Sequence, residues 1–123
     1  MKEELEKRFS TRYAKGCSVM GEDTSDIEKA VEAAKESDVV VMAVGGNCGW
    51  VNTTGGEGRD RCHLGLPGVQ QQLLEAVAAV GKPVVLVLYG PGIFALPWAA
   101  EHVAAMVQAW MPGAGAGRAV AKT

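Results

Sequence analysis

Cysteine is sparse in this chain, and the three present, Cys17, Cys48 and Cys62, are odd in number and far apart. That pattern excludes a disulfide framework and fits a reducing compartment or incidental thiols. Zinc-type spacing is missing too. Cys48, Cys62 and His63 share one stretch, but no C-x-x-C or H-x-x-x-H pair accompanies them and no fourth ligand stands out, so no metal is expected. His102 stands alone and reads as structural. No apolar run approaches the roughly 20 residues that span a bilayer, and Met1-Lys2-Glu3-Glu4 has no apolar h-region behind it. A membrane partner is not expected, and the expected location is cytoplasmic. Basic clusters are absent as well: 12 Lys and Arg against 14 Asp and Glu leave a net charge of −2. The electrostatic footprint of a nucleic-acid binder is therefore lacking.

Phosphate-binding signals are incomplete. Gly45-Gly46-Asn47-Cys48-Gly49 follows a strand as a phosphate loop would, but no helix begins directly after it. Gly113-x-Gly115-x-Gly117 does precede a helix, yet it has no acidic partner at the expected ribose position, and close helix–sheet packing explains it equally well. No cofactor is expected.

What is present suits one domain, since 123 residues with 48% apolar content can bury a single core. Residues 2–9 read as a short charged helix with Leu5 and Phe9 four apart, and residues 11–14 as a brief strand. Ser25 and Glu28 have the S-x-x-E spacing of a capping box, after which Ile27, Ala30, Val31 and Ala34 form one apolar stripe. That helix delivers the chain to Asp38 and the run Val39-Val40-Val41-Met42-Ala43-Val44, which reads as a strand buried on both faces. Residues 45–66 follow as a loop, and loops of about 20 residues in compact domains are usually functional or mobile.

Pro67 fits the first turn of the next helix, where a missing N–H costs nothing, with Leu73, Leu74, Val77 and Val80 as its buried side and Gly81 as its end. Strands are expected over 84–88 and 103–107, separated by the turn at 89–92. Residues 112–117 lead into a last helical stretch at 118–121. Strands alternating with helices mean βαβ units on a parallel sheet, hence an α/β fold: a three-layer α/β/α sandwich with helices on both faces.

Polar chemistry concentrates at Gly55-Gly56-Glu57-Gly58-Arg59-Asp60-Arg61, two acids and two arginines among three glycines. A charged loop beyond the carboxyl end of a buried parallel strand is where open α/β sheets place their ligands. Taken alone, Glu57 reads first as a solvated loop acid. Arg59, Asp60 and Arg61 are candidate ligands for sugar hydroxyls, with a hydrogen-bonded Asp–Arg brace as the weightier reading for Asp60 and Arg61. Trp50 is either a sugar-stacking platform or a half-buried loop aromatic. Trp98 and Trp110, at the two ends of the last strand, read as packing residues.

These motifs fall in a recognisable order. Tyr13-Ala14-Lys15-Gly16-Cys17, the helix and strand across 26–44, Gly56-Glu57-Gly58-Arg59-Asp60-Arg61, Leu64-Gly65-Leu66-Pro67-Gly68 with Gln70, Lys82-Pro83-Val84-Val85, Trp98, and Ala109-Trp110-Met111-Pro112-Gly113 cover nearly everything from Tyr13 onward. Together they resemble the C-terminal α/β-sandwich domain of glycoside hydrolase family 3, as in β-glucosidases. The combination of E-G-x-D-R with L-P-G-x-Q is the specific part of the match.

The resemblance implies a flavodoxin-like sandwich that sits beside a barrel domain. In that family the barrel carries the aspartate nucleophile, and in many members the sandwich loop supplies the general acid/base glutamate, with which Glu57 aligns. A β-glucoside or other sugar would then be held through the 45–66 loop. The chain departs from the family pattern in lacking the barrel, the sandwich's first strand and the continuation beyond 118–121, and Gly113-Ala114-Gly115-Ala116-Gly117 is plainer than the usual glycine-rich turn. It is therefore expected to be a piece of the domain that is inactive alone. In such a sheet the first strand lies between those at 11–14 and 39–44, so its loss predicts an empty central slot and, through it, a homodimer. Two other function classes stay open at this point: a non-catalytic module binding sugar or protein through the same loop, and a nucleotide or cofactor binder of flavodoxin-like shape.

Overall fold

The computed structural model describes residues 1–49, 53–56 and 58–123; Trp50 and Glu57 lie outside the described residues. Three β-branched or apolar runs become the strands β1 (Val40–Gly45), β2 (Val84–Tyr89) and β3 (Ala105–Trp110). They form a parallel sheet in the order β1-β2-β3. β1 and β2 stay in register from Val40↔Val84 to Gly45↔Tyr89. β2 and β3 run from Val85↔Ala105 to Leu88↔Gln108, where an irregularity shifts the next pair to Tyr89↔Trp110.

Parallel neighbours need crossovers, and three helices supply one side of the sandwich: α2 (Ile27–Lys35), which leads into β1, α3 (Gln70–Ala78) between β1 and β2, and α4 (Pro97–His102) between β2 and β3. The alternate strand residues Met42, Val44, Leu86 and Leu88 pack with Ala34 of α2, Leu73, Leu74 and Val77 of α3 and Ala99 of α4 in one core cluster. Ile27, Ala30 and Val31 pack against it as the stripe predicted. Leu74 and Leu86 are 0% exposed, and burial of each stabilises the fold by about 1.5–3 kcal/mol.

The opposite face is thinly covered. α1 (Lys2–Leu5) and α5 (Ala116–Val120) are too short to present a full apolar stripe, and a cavity of about 180 Å³ remains among Met1, Leu5, Val41, Val87, Val107 and Val120. Helices lie on both faces of a parallel sheet, as the sequence predicts for an α/β fold.

Several expectations need correction. Residues 11–14 form no strand, because they find no ladder partner; Arg12 instead reaches Glu36 across 3.0 Å at the surface. The expected slot between 11–14 and 39–44 therefore has no strand on its far side: among the described residues β1 pairs with β2 alone, and its other edge is open. The first helix stops at Leu5 rather than Phe9. The Ser25/Glu28 capping box is not made; the Ser25 N–H donates to Asp23 Oδ1 and the helix starts at Ile27 after an uncapped Asp26. α3 begins three residues beyond Pro67, whose carbonyl accepts the Gln70 N–H. α4, opened by Pro97, has six residues, too few for periodicity to reveal, and it delays β3 to Ala105 because Val103 still caps it.

Trp98 is half-buried, with His102 stacked 4.2 Å from it and His102 Nδ1 2.8 Å from the Trp98 carbonyl oxygen. Trp110 is not a packing residue. It is 51% exposed, and its φ of 57° is positive, unusual for a bulky residue.

Candidate active site

The carboxyl ends of the strands meet at glycines because their backbones touch. The Gly46 N–H donates to the Tyr89 carbonyl at 2.8 Å, and the Gly90 N–H to the Trp110 carbonyl at 2.9 Å. Gly45 has φ 132°, and a side chain there would collide with the Tyr89 carbonyl. A Cβ on Gly90 would lie 2.9 Å from the Gly46 nitrogen. Only glycine fits such an approach at positive φ.

Gln70, at the start of α3, fastens this rim. Its buried side chain accepts the Gly45 N–H at 2.7 Å and donates from Nε2 to the carbonyls of Gly45 and Val19, each at 2.8 Å. The 11–20 segment is thereby tied to the end of β1. Beside it lies a cavity of about 190 Å³ lined by Lys15, Cys17, Gly45, Gln70, Leu73 and Tyr89. Burial pushes the Cys17 thiol above its ordinary pKa, with Lys15 pulling weakly the other way, and burial likewise raises the Tyr89 phenol.

The loop beyond β1 is held by its own polar groups. The Asn47 N–H donates to Thr54 Oγ1 at 2.9 Å, and the Thr54 N–H returns to the Asn47 carbonyl at 2.8 Å. On either side of position 57, the Gly56 N–H donates to the Arg59 carbonyl at 3.0 Å and the Arg59 N–H to the Gly56 carbonyl at 3.2 Å. This two-bond bridge closes a tight turn. Arg59 Nη1 also approaches the Thr53 carbonyl, at 3.4 Å.

Arg61 leaves the loop altogether. Its Nη2 donates to the Ile93 carbonyl at 2.6 Å and its guanidinium carbon lies 4.5 Å from the centre of the Phe94 ring. Asp60 is exposed, and among the described residues it forms neither a hydrogen bond nor an ion pair with Arg61. The Arg61 side chain thus joins the 55–61 stretch to the β2–α4 connection. Across the rim, Cys48 Sγ lies 3.1 Å from Met111 Sδ, so the exposed Trp110–Met111 end of β3 borders the same loop.

Of the residues singled out from sequence, Arg59 and Arg61 are therefore placed around one turn, with Asp60 between them facing solvent. Glu57 and Trp50, the other two candidates, fall outside the described residues. Sequence reasoning missed Ile93 and Phe94 as partners of Arg61. Gly92-Ile93-Phe94-Ala95 has neither period nor motif to flag it. Gln70 was visible only as one letter of a motif.

The fold is shared with known proteins. The whole chain, residues 1–123, matches the family described as the glycosyl hydrolase family 3 C-terminal domain. It is 37% identical over 121 residues to a β-xylosidase of Formosa agariphila, covering 98% of this chain and 16% of that protein. It is 41% identical over 95 residues to a β-glucosidase of Rhizobium radiobacter, covering 77% of this chain and 11% of that one. Among solved structures, a GH3 β-glucosidase of Bifidobacterium adolescentis superposes with a TM-score of 0.82 at 33% identity over 99% of this chain and 18% of its own. The exo-β-xylosidase XlnD, in complex with a xylobiose aziridine probe, gives a TM-score of 0.85 at 29% identity over 96% of this chain and 15% of its own. The chain spans less than a fifth of the length of each of these proteins. With the parallel sheet and the glycine rim in place and the family match running over the whole chain, the chain belongs to the glycosyl hydrolase family 3 C-terminal domain family.

Proposed function

We propose that this chain is the sandwich part of a β-glucosidase- or β-xylosidase-type glycoside hydrolase and that Glu57 is its general acid/base. The observation that carries this reading is the Gly56–Arg59 turn, which brackets position 57 at the carboxyl end of the sheet in a family 3 C-terminal domain. A retaining glycosidase needs two carboxyl groups about 5–5.5 Å apart, one to attack the anomeric carbon and one to protonate the leaving oxygen and later to activate water. A glycine-flanked turn allows an acid to approach a sugar closely. The attacking aspartate would come from a barrel domain outside this chain. Trp50, Arg59 and Asp60 are the further candidates for sugar contacts, with Trp50 as the stacking platform.

A general acid without a nucleophile accelerates little. The 123-residue chain is therefore expected to hydrolyse aryl β-glucosides and aryl β-xylosides no faster than buffer. In the enzyme that contains it, Glu57→Gln is expected to lower kcat by about 100-fold or more on substrates with poor leaving groups. Turnover by the chain alone that disappears in Glu57→Gln would overturn the need for a separate nucleophile. Full activity of Glu57→Gln in the larger enzyme would remove the acid/base assignment.

A further inference from the structure

We infer that Arg61 is a positioning residue, a clamp between the turn around position 57 and the β2–α4 connection that sets where the acid stands; this rests on the acid/base reading of Glu57. Arg61 lies two residues beyond Arg59, whose backbone closes on Gly56, so its side chain anchors the chain directly after that turn. The guanidinium is held in two independent ways: Nη2 donates to the Ile93 carbonyl at 2.6 Å, and the Phe94 ring lies 4.5 Å from Cζ. Phe94 is in turn packed against the main core cluster. The mechanical line therefore runs from the core through Phe94 and Arg61 to the turn.

Two details bear on this contact. Gly92 has φ 127°, and a Cβ there would stand 3.3 Å from Nη2, so the connection leaves room for the guanidinium. Nη1 is buried and has no hydrogen-bond partner among the described residues. An arginine free to rotate would turn that donor into water, because an unmade buried hydrogen bond is unfavourable. Lysine cannot replace this arrangement, since it lacks both the planar face that stacks on a ring and the fork that bonds beside it.

A residue that positions a general acid can be told from one that merely supports a loop by the leaving group. Aryl glycosides whose phenols are strongly acidic depart without a proton, whereas poor leaving groups require one. The test is a series of aryl β-glycosides graded in leaving-group acidity, run on the full enzyme containing this domain with Arg61→Ala, Arg61→Lys, Phe94→Leu and Glu57→Gln. Hydrogen exchange over residues 53–61 is followed alongside, with the β2 residues as the folding control.

Arg61→Ala is expected to reduce kcat/KM by about 100-fold on phenyl glycosides and by less than about threefold on dinitrophenyl glycosides, where kcat and KM fall together because the same acid must activate water in the second step. Exchange over 53–61 should quicken while β2 stays protected. Arg61→Lys should follow Arg61→Ala, and Phe94→Leu should show the same slope in weaker form. A loss that is equal across leaving groups for Arg61 variants, beside a steep dependence for Glu57→Gln, overturns the clamp alone. A flat response of Glu57→Gln removes the acid/base reading first, and unchanged exchange in Arg61→Ala would then still reject the clamp. If Arg61→Ala does not fold, Arg61→Lys and Phe94→Leu decide by the same slopes.

Discussion

The side-chain amide of Gln70 embraces the peptide of Gly45, accepting its N–H at 2.7 Å and donating to its carbonyl at 2.8 Å. A side chain near the start of one helix thereby acts as a further strand partner for the last residue of β1, where the candidate site begins. Gln70 is 3% exposed, so water cannot stand in for it.

Gln70→Leu, which keeps the bulk and removes the amide, leaves the N–H and carbonyl of Gly45 and the carbonyl of Val19 without this partner. The expected loss is about 2–6 kcal/mol, from the two buried groups of Gly45 at about 1–3 kcal/mol each, since the part-buried Val19 carbonyl can turn to water. Urea unfolding should show a lower midpoint with an unchanged slope. A midpoint within error of the parent would mean that the amide bonds contribute nothing net.

Gly45 and Gly81 both have positive φ, at 132° and 80°, but only Gly45 is crowded. Gly81→Ala should cost about 1–2 kcal/mol, the price of a left-handed backbone alone. Gly45→Ala adds a collision with the Tyr89 carbonyl and should cost more than about 3 kcal/mol or prevent folding. Equal melting temperatures for the two variants would contradict the close approach of β1 and β2 at this rim.

Thiol reactivity separates the cysteines. Cys17 is half-buried, and burial raises its pKa, while Cys48 and Cys62 are exposed. Titration of the native chain with a disulfide reagent should therefore show two fast thiols and one slow one, which becomes fast in denaturant. Because the folded pKa of Cys17 lies above its unfolded value, its contribution to stability is complete below the unfolded thiol range, near about pH 8.5. It is lost as pH rises from there through the folded value, and the Tyr89 phenol acts in the same direction at higher pH. Stability that climbs through this alkaline window would reverse the assignment.

Assembly remains an expectation with a new basis. With no strand at 11–14 there is no slot between two strands to drive a homodimer, but the outer edge of β1 has no strand beside it among the described residues, and Val39 and Val41 are 53% and 41% exposed. Open, apolar edges recruit further strands. Light scattering at micromolar concentration is expected to give twice the 12.9 kDa chain mass, returning to the single mass in Val41→Lys. A single-chain mass for the unmodified protein at every concentration would end the dimer idea.

Much of the fold was legible because burial leaves a period in the chain. The run at 39–44 and the one at 84–88 became β1 and β2 with shifts of a residue or so, but only β2 is buried on both faces; in β1, expected to be buried on both, Val41 is 41% exposed because α1 and α5 cover that face thinly. The stripe Ile27, Ala30, Val31, Ala34 packs as expected. Short elements were less readable. α4 has too few residues to show a period, and residues 11–14 have strand-like composition without a strand beside them, which composition cannot report.

The sequence by itself determined the α/β class, the family through its ordered motifs, and the placement of charged chemistry after the first strand. Those depend on local composition and spacing, which the chain carries along its length. Only the tertiary structure decided the strand order β1-β2-β3, the embrace of Gly45 by Gln70 across 25 residues, and the reach of Arg61 to Ile93 across 32. Arg61 stands beside Asp60 in sequence, which favours a hydrogen-bonded brace between them. The fold instead brings a carbonyl and an aromatic face to the guanidinium, because both belong to a connection that exists there only once β1 and β2 lie side by side.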